Sequence, residues 1–220
     1  MALKVCIVGD SGQGKSHATK HLDPKETGIL KCIKKHLPYR GSSKIYSGDT
    51  ENMLVTRTWT EVIGGLKMFN QMPHIKNVVI DDLGHIMINE ALSRIKEPGF
   101  NKFSEIALHM TSIFNEIDEM RDDLRVACNF HVTRTLVDGY KPSVKIKTIG
   151  KILESWYVIE ELFDVVLYTD VHFESKKPKY GYITEYTDEA PAKSPEGMFE
   201  EKKIDNNLNF VFDTLGSYYN

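Results

Sequence analysis

The chain has 220 residues, of which 41% are hydrophobic and 27% charged, and a formal net charge of -3. Such proportions belong to folded globular proteins and exclude a disordered chain, and no apolar stretch approaches the roughly 20 residues of a membrane-crossing helix, so no membrane partner is expected. The slight acidity excludes a polycation, so any nucleic-acid contact needs a local basic patch or one assembled by oligomerisation.

The first element is Val5-Cys6-Ile7-Val8, an apolar run long enough for one buried strand. A strand this early predicts no signal peptide and a cytoplasmic location. It runs into Gly9-Asp10-Ser11-Gly12-Gln13-Gly14-Lys15-Ser16, a complete P-loop following a strand. Its glycines let successive backbone N–H groups turn toward phosphate oxygens. A helix expected from about Lys15 to His21 adds its positive dipole end before Asp23-Pro24 stops it. Lys15 is expected to reach the β- and γ-phosphates of ATP, and the Ser16 hydroxyl to ligate Mg²⁺.

A second strand is expected over 27–33, followed by a polar loop over 34–52. Lys31, Lys34, Lys35, Arg40 and Lys44 alternate there with Tyr39 and Tyr46. That combination suits either a solvated loop or a grip on single-stranded nucleic acid by charge and stacking. Trp59, Val62, Ile63, Leu66 and Phe69 predict an amphipathic helix over about 58–71, weakened by Gly64-Gly65 and ended by Pro73. Lys76 to Ile80 is a third strand, and Val78-Val79-Ile80-Asp81 has the form of a magnesium-binding acid at a buried strand end. Asp82 is a candidate to orient or deprotonate attacking water, provided the chain bends, because neighbours on a strand face opposite ways.

Helices are expected from Ile86 to Ile95 and, with a continuous apolar stripe, from Phe103 to Met120. A fourth strand, Leu124 to Phe130, ends at His131. If this strand lies between the P-loop strand and the Asp81 strand, His131 emerges beside the γ-phosphate, as a sensor or as a structural strand-end residue. Residues 132–142 read as polar, with a turn signal at Asp138-Gly139. Val144 to Ile149 alternates lysine with apolar residues, as in a strand exposed on one face. Lys145, Lys147 and Lys151 fit either a lysine-protected edge or a cation offered to a neighbouring subunit's nucleotide. A helix over 151–163, strands over 165–173 and 180–187 joined by a lysine-rich turn, a loop over 190–200 and a helix over 206–219 complete the chain. Cys6, Cys32 and Cys128 have no metal-ligand spacing and read as small buried hydrophobes.

Strands alternating with helices through residue 131 predict an α/β fold, a mostly parallel sheet with right-handed crossovers and ligands at the strand carboxyl ends. One domain over 1–220 is expected, with the hairpin and helix of 164–220 as an extension.

Gly-Asp-Ser-Gly-Gln-Gly-Lys-Ser at 9–16, Val-Val-Ile-Asp-Asp-Leu at 78–83, Lys-Phe-Ser-Glu-Ile at 102–106, Lys-Ile-Lys-Thr-Ile-Gly-Lys at 145–151 and Ala-Lys-Ser-Pro-Glu-Gly-Met-Phe at 192–199 together resemble the small phage-encoded AAA-type P-loop ATPases related to the RecA-like Sak group of single-strand annealing proteins. The resemblance implies a RecA-like P-loop NTPase core, ATP with Mg²⁺, a homo-oligomer and a role with single-stranded DNA in recombination or replication. It places Gly9, Gly14, Lys15 and Ser16 at phosphate-binding positions and Asp81 at the magnesium acid. His131 matches a polar residue on the fourth strand, and Lys145 and Lys147 the trans-acting cations. His17 departs from the second hydroxyl common after Ser16, and no glutamate follows the second strand, where a catalytic base is often kept. A small-molecule kinase would need a lid of arginines. The arginines present (Arg40, Arg57, Arg94, Arg121, Arg125, Arg134) form no such cluster, whereas a nucleotide-gated binding module with little hydrolysis fits the same motifs.

Overall fold

The computed structural model describes residues 1–137, 141–187 and 190–219. In chain order they form β1 (Leu3–Val8), a six-residue 3-10 helix (Ser16–His21), β2 (Thr27–Lys31), α1 (Ser42–Ile45), β3 (Met53–Val55), α2 (Trp59–Asn70), β4 (Asn77–Asp81), α3 (Gly84–Ser93), α4 (Asn101–Asp118) and β5 (Arg125–Phe130). A hairpin follows, β6 (Val132–Val137) and β7 (Lys141–Ile146), then β8 (Val165–Glu174), β9 (Lys177–Ile183), β10 (Tyr186–Thr187), β11 (Ala190–Pro191), β12 (Lys203–Asp205) and α5 (Leu208–Tyr219). The Asp138-Gly139 turn signal lies outside the described residues.

Eight strands form one sheet in the order β12-β9-β8-β1-β5-β4-β2-β3. The six from β8 to β3 are mutually parallel, and β9 and β12 add an antiparallel edge. Because side chains alternate along a strand, each central strand feeds two cores. Cys6, Val8, Leu30, Val78, Ile80, Val126 and Cys128 face α2, α3 and α4, while Val5, Ile7, Ile29, Val79, Ala127 and Leu167 face α5 and the segment after β1. The long apolar stripe of α4 is buried from Ile106 through Ile117, as its spacing predicts. The sheet is thus covered by helices on both faces, the RecA-like arrangement expected from the sequence.

Gly64-Gly65 does not interrupt α2. A Cβ on Gly65 would come within 2.5 Å of Leu30, so that glycine lets the helix lie close on β2. The helix is started by a capping box between Thr58 and Glu61. Elsewhere the structure departs from the sequence pattern. Residues 132–137, read as polar, form β6, which pairs antiparallel with β7; a strand with one exposed face needs polar residues on alternate positions. The stretch 151–163 is no continuous helix but a π-turn at Ile152–Trp156 and a 3-10 turn at Ile159–Leu162, broken at Tyr157-Val158, an aromatic and a β-branched residue that lose side-chain freedom in a helix. All three cysteines are buried and free, and burial raises each thiol above its ordinary pKa.

Candidate functional site: a phosphate cradle at the carboxyl ends of β1, β4 and β5

The order β1-β5-β4 sets one strand between the P-loop strand and the Asp81 strand, as the sequence required for His131. The carboxyl ends of these strands open on a cavity of about 290 Å³, lined by Ser11 to His17, Lys35, Asp82, His131 and Tyr180 among others.

The loop keeps its curl through Gly12 (φ 81°) and Gly14 (φ 91°). The N–H groups of Gly12, Gly14 and Lys15 find no acceptor among the described residues, which leaves a row of donors for an anion. The helix that follows is not the α-helix expected. It is a 3-10 helix of only six residues, halted by Asp23-Pro24, so it brings little dipole to the loop, and the groups available to an anion are the free N–H donors and Lys15. Lys15 is buried, and its Nζ donates to the carbonyls of Gly9 (2.7 Å) and Asp10 (2.8 Å). Burial lowers its pKa, partly offset by the nearby charges of Asp82 and Asp81.

Ser16 Oγ donates to Asp81 Oδ1 at 2.7 Å, and Asn129 Nδ2 donates to the same oxygen at 2.9 Å. Asp81 Oδ2 is buried without a hydrogen-bond partner. A buried carboxylate oxygen left unsatisfied is costly unless a cation or water completes it. A hydroxyl and one carboxylate suit Mg²⁺, which takes few protein ligands and completes its shell with phosphate and water. Among the described residues no group of three His, Cys, Asp or Glu side chains is placed to hold a metal unaided.

Asp82 is where the chain bends. Its φ of 62° lies in the left-handed region, a conformation costing a non-glycine residue of order 1 kcal/mol or more. The bend turns its side chain into the same cavity instead of to the opposite face of β4. There it is 2% exposed and ion-paired with Lys35 Nζ at 2.5 Å and His131 Nε2 at 3.2 Å. Burial would raise its pKa, but the hydrogen bonds from His131 and Lys35 outweigh that and hold the carboxyl well below the usual range. Burial likewise works against the Lys35 charge, and the bond to Asp82 prevails and raises its pKa.

Several groups at the site have no motif to announce them. Gln13 Oε1 accepts from the Asp10 N–H (2.7 Å) and the Thr169 hydroxyl (2.8 Å). Arg134 on β6 pairs with Asp10. Tyr180 on β9 lies so close that a Cβ on Gly14 would sit 2.9 Å from its ring, and it also contacts the His17 ring. Asn206 Nδ2 donates to the Gly14 carbonyl at 3.3 Å, and its Oδ1 lies 3.4 Å from His17 Nδ1. The segment expected as an extension therefore packs on the phosphate loop itself. An asparagine on β5 pointing the same way as the Asp81 strand end was the one detectable signal, and Asn129 carries it.

Lys145 and Lys147 are exposed on and just after β7, and neither lines this cavity; the Lys147 N–H donates to the His131 carbonyl at 2.7 Å. The basic loop is not the open stacking surface its composition allowed. Lys31 is buried and donates to the Lys35 carbonyl, Lys35 is taken by Asp82, Tyr46 is fully buried, and Tyr39 hydrogen-bonds Thr19.

A family model described as AAA domain (AAA_24) matches residues 1–195. Among solved structures, a KaiC-like protein from the hyperthermophilic archaeon Pyrococcus horikoshii OT3 superposes with a TM-score of 0.54 at 12% identity, covering 91% of this chain and 83% of that one. At that identity the likeness is one of fold. No curated protein matches the sequence.

Proposed function

Since the chain belongs to the AAA domain family and carries a P-loop ATPase-like domain, we propose that it binds ATP with Mg²⁺ and works as a nucleotide-gated switch whose hydrolysis waits on the release of Asp82. The observation that carries this reading is the placement of Lys35 and His131 on Asp82 at the mouth of the phosphate cradle.

The free donors of the loop and the Lys15 ammonium bind the phosphates and fix their position. Ser16 and Asp81 would hold Mg²⁺, oriented by Asn129. When bound there, the ion would neutralise charge on the phosphate oxygens. Asp82, held by the Lys35 ammonium and a contact with the His131 ring, is a weak base while Lys35 remains on it. A γ-phosphate offers Lys35 and His131 a competing anion, and freeing Asp82 gives it the capacity to orient an attacking water. Binding and turnover are thereby separated, which accommodates slow hydrolysis without a glutamate after β2.

Lys145 and Lys147 are exposed and do not line their own chain's cradle, which leaves them available to a second copy. DNA handling in recombination or replication is the setting we infer for the switch from the motif resemblance. The test is direct. ATP binding and hydrolysis are measured with and without single-stranded DNA for the wild type, Lys15→Ala and Asp82→Asn. The reading expects loss of binding in Lys15→Ala, and retained binding with lost turnover in Asp82→Asn. ATP binding untouched by Lys15→Ala would overturn it, and DNA-stimulated turnover would support the proposed setting.

A further inference from the structure

A larger cavity, about 660 Å³, lies beside the phosphate cradle, where the chain leaves β2 and enters α2 and α3. Its size falls within the roughly 300–1,000 Å³ of small-molecule sites. Lys34, Arg57, Trp59, His85, Asn89 and Glu90 are among its lining residues. Neither the Lys34 ammonium nor the Arg57 guanidinium has a carboxylate partner among the described residues, whereas nearby Lys35 and Arg94 do; the Arg57 backbone N–H donates to the Glu61 carboxylate. The one acid on the wall, Glu90, is engaged elsewhere: it shares Arg94 (Nη1 at 3.0 Å) with Glu97 and Glu105 and lies 2.9 Å from His109 Nδ1. Trp59 stacks on His109 with ring centroids 4.3 Å apart and planes 13° from parallel, so the indole is held rigid while it borders the cavity. His85 forms the wall toward the cradle, its ring edge-on to His131 at 5.9 Å. Burial lowers the His85 pKa, which leaves it a neutral hydrogen-bonding group near neutral pH.

Two unpaired cations, a fixed aromatic plate and an amide are the chemistry of a phosphate attached to a flat heterocycle. We propose that this cavity is a second ligand site that takes a nucleotide unit, the phosphate between Lys34 and Arg57 and the base against Trp59. The ligand is a free nucleoside phosphate or one unit of a single strand. Its wall is shared with the switch through His85 and His131 on one side and through Lys34, next to Lys35, on the other, so occupancy has a physical route to Asp82. The inference does not depend on what the P-loop binds.

The chain has two tryptophans, Trp59 and the highly exposed Trp156. In a Trp156→Phe protein, emission therefore reports on Trp59 alone. Titration with thymidine monophosphate and with oligothymidylate is expected to give saturable quenching by at least one probe. Response to the monophosphate assigns a free nucleotide, and response to the oligomer alone assigns a strand. The affinity is expected to fall tenfold or more in Lys34→Ala/Arg57→Ala, both exposed residues whose truncation leaves the core intact, and to be unchanged in Lys15→Ala. Absence of quenching by both probes, indifference to the double substitution, loss in Lys15→Ala, or an equal response to polyglutamate would each overturn the proposal.

Discussion

Asp82 and Lys35 are 47 positions apart and meet at 2.5 Å, the carboxylate buried and the ammonium nearly half exposed. The contact puts a fixed anion, held in a left-handed backbone conformation, under the control of a cation on a loop. The pair has a defined pH signature. The Asp82 pKa is lowered in the fold, so its contribution to stability is present above the ordinary carboxylate value of about 3.9 and is lost as pH falls through the folded value. The Lys35 pKa is raised, so its contribution is present below about 10.4 and is lost as pH rises through the folded value. Lys35→Met is therefore expected to cost about 1 kcal/mol or less, discounted for solvent screening, between these limits. Urea denaturation at neutral pH and at pH 3 checks this: the gap between variant and wild type narrows on acidification.

Asn129 is buried, donates to Asp81 and does not line the cavity. In Asn129→Ala, Asp81 loses a buried donor and with it part of its orientation. Groups that orient metal ligands are worth roughly 10–100-fold in metal affinity. Nucleotide titrations in Mg²⁺ and in EDTA are expected to show a loss of that order with magnesium and little change without it. Equal losses in both would mean that Asn129 supports the loop and not the ion.

Gly14→Ala faces two penalties at once, a φ of 91° and a Cβ 2.9 Å from the Tyr180 ring. It is expected to weaken ATP binding by more than tenfold. Gly12→Ala meets no atom within 4 Å and carries the backbone penalty alone. Its effect on the same binding isotherm is expected to be the smaller of the two.

Adjacent helix glycines are expected to respond in opposite directions. Gly64 has open space, so Gly64→Ala is expected to add about 0.5–1 kcal/mol of stability. A Cβ on Gly65 would sit 2.5 Å from buried Leu30, so Gly65→Ala is expected to cost about 1–3 kcal/mol through overpacking. Thermal melts of the two variants check the sign.

The parts legible in the sequence are those built from contiguous residues. The strand, the P-loop, the Val78–Asp81 run and the α4 stripe each carry their pattern locally, while the place of β5 between β1 and β4 entered only as a condition and is set by the sheet order. Tyr180, Asn206, Thr169 and Arg134 could not be read in this way. Each reaches the phosphate loop across more than 120 positions of chain and has no spacing rule to mark it. Asp82 sits between these cases. Its identity was visible beside Asp81, but its direction depended on one backbone dihedral that neighbouring residue types do not encode. Tyr46 shows the converse, since a tyrosine in a polar loop looks available until the core that covers it is known.

Asn206 and Tyr180 also fix an order of events. The phosphate loop is made before either of them, and its Gly14 carbonyl waits for an amide 192 positions later. A nascent chain stopped short of that asparagine carries the whole nucleotide motif on an unfinished support. The cradle is complete only when Tyr180 and Asn206 have packed onto it, so a product truncated before Tyr180 would compete poorly for nucleotide with the longer chain.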